Sequence, residues 1–164
     1  MSTLNAILTV GVYGMSADQF FGVVVASGTD CFVDVRQRRG LRGSQYAFAN
    51  SARLQSELAA RGIRYAHIRQ LAPTAAVRQA QRDADAATGV GKRAREELGE
   101  VFKRSYCETC LAEWTAEAFL NSLPVGTRRP MLFCVERLPR ACHRSLAADW
   151  LSMALGVPVE HHGV

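Results

Sequence analysis

Short apolar runs alternate with stretches of helical period along this chain, and that alternation constrains its fold more than any other feature. Ala6-Ile7-Leu8-Thr9-Val10-Gly11-Val12 is apolar and β-branched and reads as a buried strand. Ser16 followed by Gln19 looks like a capping box opening a helix with Phe20, Phe21, Val24 and Val25 inward, ending near Gly28. Cys31 to Val35 is a second strand, and a basic, Gly-containing loop runs from Arg36 to about Ala49. Asn50 or Ser51 caps the next helix, with Leu54 and Leu58 on one face and Gly62 at its end. Ile63 to Ile68 makes a short third strand.

Residues 72–91 are rich in Ala, Gln, Asp and Gly and poor in large apolar side chains, which suggests a lid or a mobile excursion. From Arg93 to Leu123 the period is helical, marked by Leu98, Val101, Phe102, Leu111, Trp114 and Ala118, in one bent helix or two. Met131 to Val135 is a fourth strand. Cys142 to Leu155 is a helix with Leu146, Trp150, Leu151 and Leu155 inward and Gly156 closing it. Val157 to His161 is a last strand, placed at a sheet edge by Pro158. Strands alternating with helices predict a three-layer, Rossmann-like α/β domain over residues 1–164, with a mainly parallel sheet of about five strands. Such sheets bind ligands at the carboxyl ends of their strands. That rule gathers Tyr13-Gly14, Asp34 to Arg36, His67, Cys134 to Glu136 and Cys142-His143-Arg144 onto one rim.

Composition narrows the class. Of the 164 residues, 48% are hydrophobic and 21% charged, enough for a core and too apolar for general disorder. The longest apolar stretch, Phe20 to Ala26, is far too short for a membrane span, so no membrane partner is expected. No basic segment leads into an apolar one as in a secretory signal, so the expected location is cytoplasmic. Five cysteines are an odd number, and reduced thiols are the default there. Eighteen of the 20 basic residues are Arg. A GC-rich genome explains most of them, but Arg36, Arg38, Arg39 and Arg42 crowd into seven residues, where guanidinium groups could grip phosphate.

Several of these residues carry a resemblance. Tyr13-Gly14, Asp34-Val35-Arg36, Gly62 to His67, Cys134-Val135-Glu136 and Cys142-His143-Arg144, in that order, resemble the family known as domain of unknown function 488. The paired Cys-x-Glu and Cys-His-Arg motifs are its most specific element, and the match spans nearly the whole chain. The resemblance implies a compact α/β domain and brings no settled activity. After Asp34-Val35-Arg36 this chain has Gln37-Arg38-Arg39-Gly40, where many members place Pro and Ser.

The motifs support more than one chemistry. Cys142 at a helix start should be rich in thiolate, with Arg144 adding to the effect, and Glu136 could orient His143 or act as a base. Glu136, Cys142, His143 and Cys134 are therefore the candidate catalytic groups, for hydrolysis or group transfer. Tyr13, Gly14, Asp34, Arg36, His67 and Arg144 are the candidate binding groups. Alternatively both cysteines are small buried residues and Arg144 ties loops together through Asp34 or Glu136. Cys134 and Arg140 have the spacing of a cysteine phosphatase loop, but Glu136 repels an anion and Pro139 removes a donor. Cys107-Glu108-Thr109-Cys110 is either a pair of small helix residues, a redox pair, or half of a zinc site completed by Cys134 and Cys142. No cofactor is required by the sequence; zinc is an option. His161 and His162 are expected to be solvated. Together these features favour an enzyme acting on a phosphate-bearing or nucleotide-type small molecule. The alternatives are a non-catalytic nucleic-acid-binding module using the Arg36 to Arg42 loop, and a domain stabilised by a cysteine-bound metal.

Overall fold

The computed structural model describes residues 4–91 and 94–164. Five parallel strands form one sheet: β1 (Ile7–Val10), β2 (Cys31–Asp34), β3 (Arg64–His67), β4 (Pro130–Phe133) and β5 (Val159–His162). Their spatial order is β3-β2-β4-β1-β5. β1, β2 and β4 are buried throughout, as near-continuous apolar runs in a parallel sheet must be. β5 lies at the edge, the place Pro158 requires. With its helices this is a three-layer, Rossmann-like α/β fold. The inner strand latest in the sequence, β4, slots between β1 and β2, with Leu8 opposite Met131 and Phe32 opposite the same residue. The connections therefore diverge around β4, and its carboxyl end is where such a sheet opens a crevice.

Helix α1 (Ala17–Ala26) starts on the capping box read from sequence: Ser16 Oγ accepts from Gln19 N, and Gln19 Oε1 accepts from Ser16 N. Phe20 packs among Phe32, Phe48 and Phe133 with ring centroids 5.6 to 6.1 Å away. Val25, expected inward, is 54% exposed, because the buried face is set by Phe20, Phe21 and Val24 and Val25 falls off its edge. Helix α2 (Ser51–Ala60) buries Leu54 and Leu58 beside β3. Asn50 precedes it without capping it, since its Oδ1 accepts instead from Leu41 N at 2.6 Å.

The segment read as a lid or excursion contains a 14-residue helix, α3 (Ala75–Thr88), capped by Thr74 and closed by Gly89 at φ 70. Its Ala, Gln and Arg residues are good helix formers, and it buries only Val77 and Gln81. The Arg93 to Leu123 stretch is broken: α4 (Glu100–Tyr106) runs into a π-turn over Cys107–Leu111, and α5 (Ala116–Asn121) follows. Its expected start at Arg93 lies outside the described residues. Phe102 and Leu111 are buried as expected, whereas Val101 is 59% exposed and Phe119 is buried in place of Ala118. The π-turn and the break after it shift the face, so a single 3.6-residue period could not track it.

Helix α6 (His143–Leu155) ends at Gly156 in the left-handed region and packs on β1, β4 and β5. Its innermost residues are Arg144, Ala147, Ala148 and Leu151; Leu146, Trp150 and Leu155 lie half-buried at the margin. The small alanines bring the helix close to the sheet, so the larger residues flank the contact instead of filling it. Among the described residues no helix is long and apolar enough to cross a membrane.

Candidate functional site

After Phe133 the chain leaves the sheet as Cys134-Val135-Glu136, turns through Pro139–Ala141 and enters α6 from Cys142. The loop is pinned from below. Arg144 is fully buried, and its Nη1 donates to the Glu136 carbonyl at 2.6 Å and its Nη2 to the Arg137 carbonyl at 3.1 Å. Arg144 therefore holds backbone: its hydrogen bonds go to these carbonyls, where the sequence suggested the Asp34 or Glu136 carboxylate. Gly11, in the neighbouring strand end, allows the approach: a Cβ there would lie 1.9 Å from the Glu136 carbonyl oxygen.

Asp34, at the end of β2, is fully buried and takes a fork from Arg36: Nε donates at 2.9 Å and Nη2 at 2.7 Å. Tyr65 Oη donates to the second Asp34 oxygen at 2.7 Å. Burial, then the Asp34 charge, pushes the Tyr65 hydroxyl up to about 12, so it remains a donor. His67 Nε2 stands 2.8 Å from the Arg36 carbonyl. Tyr13 is buried against Tyr46, whose hydroxyl accepts from Gly14 N, and this contact lies beside a separate shallow cleft at the start of α1.

A cavity of about 410 Å³ opens over the β4 end. Cys134, Glu136, Cys142 and His143 form its floor, Arg36 and Arg38 one wall, and Arg78, Arg82 and Asp85 of α3 the other. Arg95 bridges the two sides, donating to Asp85 at 2.7 Å and to Glu136 at 3.1 Å. Leu41, Pro73, Leu98 and Phe102 supply apolar surface. Five arginines thus face two carboxylates. The Nε of Arg78 is buried with no hydrogen-bond partner among the described residues. The cavity gathers all four candidate catalytic residues, and Arg36 of the binding set. Tyr13, Gly14, Asp34, His67 and Arg144 are not on its surface.

Sequence reasoning missed Arg78, Arg82, Asp85 and Arg95. Thr74, a Gly-free run from Ala75 to Thr88, and arginines four apart were the available signal for a helix with a basic face. The dense arginine run splits up in the fold. Arg36 is buried with Asp34, Arg39 reaches Tyr65, Arg38 lines the cavity and Arg42 is exposed. Arg140 turns away and donates to the Glu96 carbonyl, so no phosphatase loop forms around Cys134.

The floor is tightly coupled. His143 Nε2 is 3.0 Å from the Val35 carbonyl, which can only accept, so Nε2 carries the hydrogen and Nδ1 faces the Cys142 sulfur at 3.9 Å. The Tyr106 ring meets the His143 ring edge-on at 5.5 Å and holds its plane. Burial works to raise the Cys142 thiol. The Cys134 hydrogen bond and the nearby Arg144 and His143 outweigh it and hold Cys142 well below the usual thiol range. Burial likewise works to lower His143, and the Cys142 charge raises it instead. Cys134 Sγ lies 3.5 Å from Glu136 Oε2. One donor atom each from Cys134, Cys142 and His143 fall within 4.8 Å of one another. Cys107 is exposed, and Cys110 donates to the Ala72 carbonyl; neither belongs to that group.

A family model described as Domain of unknown function DUF488 matches residues 16–151. No match was found among curated proteins or among solved structures.

Proposed function

The chain belongs to the DUF488 family, and on that premise we propose that it is an enzyme acting on a phosphate-bearing or nucleotide-type small molecule at the carboxyl ends of the strands. One observation carries the reading: arginines wall a cavity whose floor holds two thiols, an imidazole and a carboxylate. Arg78 and Arg144 each bury an Nε without a partner among the described residues, but only Arg78 lines the cavity, where a phosphate oxygen would accept from it. Arg78, Arg82 and Arg38 bind the anion. Leu98 and Phe102 receive the organic part. Glu136, His143, Cys142 and Cys134 supply the chemistry, by hydrolysis or group transfer. The helix α3 is the movable wall, since it buries few residues, and the Arg95 bridge to Asp85 is what holds it against the rim. Reduced thiols throughout suit a cytoplasmic protein.

Calorimetric titration with inorganic phosphate and a nucleoside monophosphate tests this. Arg78→Ala should weaken binding about 10- to 100-fold, the worth of one charge-assisted hydrogen bond. Equal affinity in wild type and Arg78→Ala would defeat the reading. Tight duplex DNA binding that collapses with salt, with no small-anion binding, would put the nucleic-acid module in its place.

A further inference from the structure

We propose that Cys134, Cys142 and His143 bind a zinc ion at the floor of the cavity, with Glu136 beside it and the fourth position open to the substrate. This deepens the enzyme reading and rests on it only for the use of the open position.

The donor set comes first. Two thiols and an imidazole are the soft and borderline ligands that zinc selects. Their spacing comes next. Zinc bonds sulfur at about 2.3 Å and nitrogen or oxygen at about 2.0 to 2.2 Å, so neighbouring ligands of a tetrahedron stand about 3.5 to 3.8 Å apart. Cys142 Sγ to His143 Nδ1 is 3.9 Å. The three donors fall within 4.8 Å of one another, and all three residues are buried. Little movement is needed to close them on an ion.

The surroundings fit as well. A ligating histidine normally anchors its other ring nitrogen on a carbonyl or carboxylate, and His143 does so on Val35. Glu136 has one oxygen on Arg95 and the other at Cys134, so it is oriented at the site without closing it. All four residues line the cavity, so the remaining position faces the arginine walls. Three protein ligands with an open position is the arrangement of catalytic zinc, where bound water becomes a usable nucleophile near neutral pH.

The test uses the full chain, purified with thiols reduced. Elemental analysis should show stoichiometric zinc. Cobalt added to chelator-treated protein should give the visible absorption of a tetrahedral ion and a thiolate charge-transfer band. Cys142→Ser and His143→Asn should each lower metal affinity at least about 100-fold, while the Cys107→Ser, Cys110→Ser double variant should bind as wild type does. Substoichiometric metal in reduced wild type, or metal retained by Cys142→Ser and lost by the double variant, would overturn the proposal. If Cys142→Ser does not fold, the wild-type stoichiometry and cobalt spectrum decide alone. Inorganic phosphate titrated into the same preparations separates the two readings. Phosphate bound by reduced protein that purifies without metal sinks the zinc site and spares the anion cavity; stoichiometric metal without phosphate binding does the reverse.

Discussion

Replacing Asp34 by alanine should cost the protein about 3 to 5 kcal/mol, because it strands a buried charge rather than merely removing a contact. Asp34 accepts four hydrogen bonds: from Arg36 Nε, Nη2 and backbone N, and from Tyr65 Oη. With the carboxylate gone, the Arg36 guanidinium keeps, among the described residues, the Ala49 carbonyl at 3.0 Å and the Phe133 ring at 4.6 Å. Both Asp34 and Arg36 are nearly fully buried, and although Arg36 borders the cavity, water replaces the lost bonds poorly. Each stranded donor is worth about 1 to 3 kcal/mol, and the sum is a large share of a total stability of about 5 to 15 kcal/mol. Adding Arg36→Met removes the stranded charge, so the double variant should recover at least about 2 kcal/mol relative to Asp34→Ala. Urea unfolding followed by circular dichroism measures all of these in one cycle. A loss below about 1 kcal/mol for Asp34→Ala would refute the argument, and would return this pair to the role of a ligand contact held without structural consequence.

Other expectations test neighbouring parts of the argument. Gly11→Ala should lower phosphate and metal binding together, because its methyl displaces the Glu136 carbonyl that Arg144 holds; unchanged binding in a folded variant would show that the loop position is immaterial. Hydrogen–deuterium exchange should be faster in α3 than in α6, and Thr74→Ala, which removes an N-cap worth about 1 kcal/mol, should accelerate it further in α3 alone. Equal protection of the two helices would refute a movable wall. Burial pushes Cys31 up to about 11, so its thiolate fraction at pH 8 is about a thousandth. Its alkylation by iodoacetamide in the native state should therefore be far slower than that of exposed Cys107; comparable rates at the two sites would contradict its buried setting.

The pattern of strands, the α1 capping box, the edge position of β5 and the gathering of Cys134, Glu136, Cys142 and His143 at the strand ends were all legible in the residues. They follow from local rules: β-branched runs, Ser and Gln at fixed spacing, a proline, and the geometry that any parallel sheet imposes on its carboxyl ends. The basic wall of the cavity was not legible, because α3 carries almost no apolar period and its place depends on Val77, Gln81 and the Arg95 bridge to Glu136. Nor could spacing reveal that Arg144 would grip carbonyls, that Asp34 would pair with Arg36, or that His143 would replace Cys107 and Cys110 beside the two buried thiols. Arg144 and the Cys134–His143 pair bring together residues of different segments, and Arg36 can fold back on Asp34 only because the strand ends between them; burial then decides among partners, since once water is excluded each charge takes whichever one the packing has set within reach.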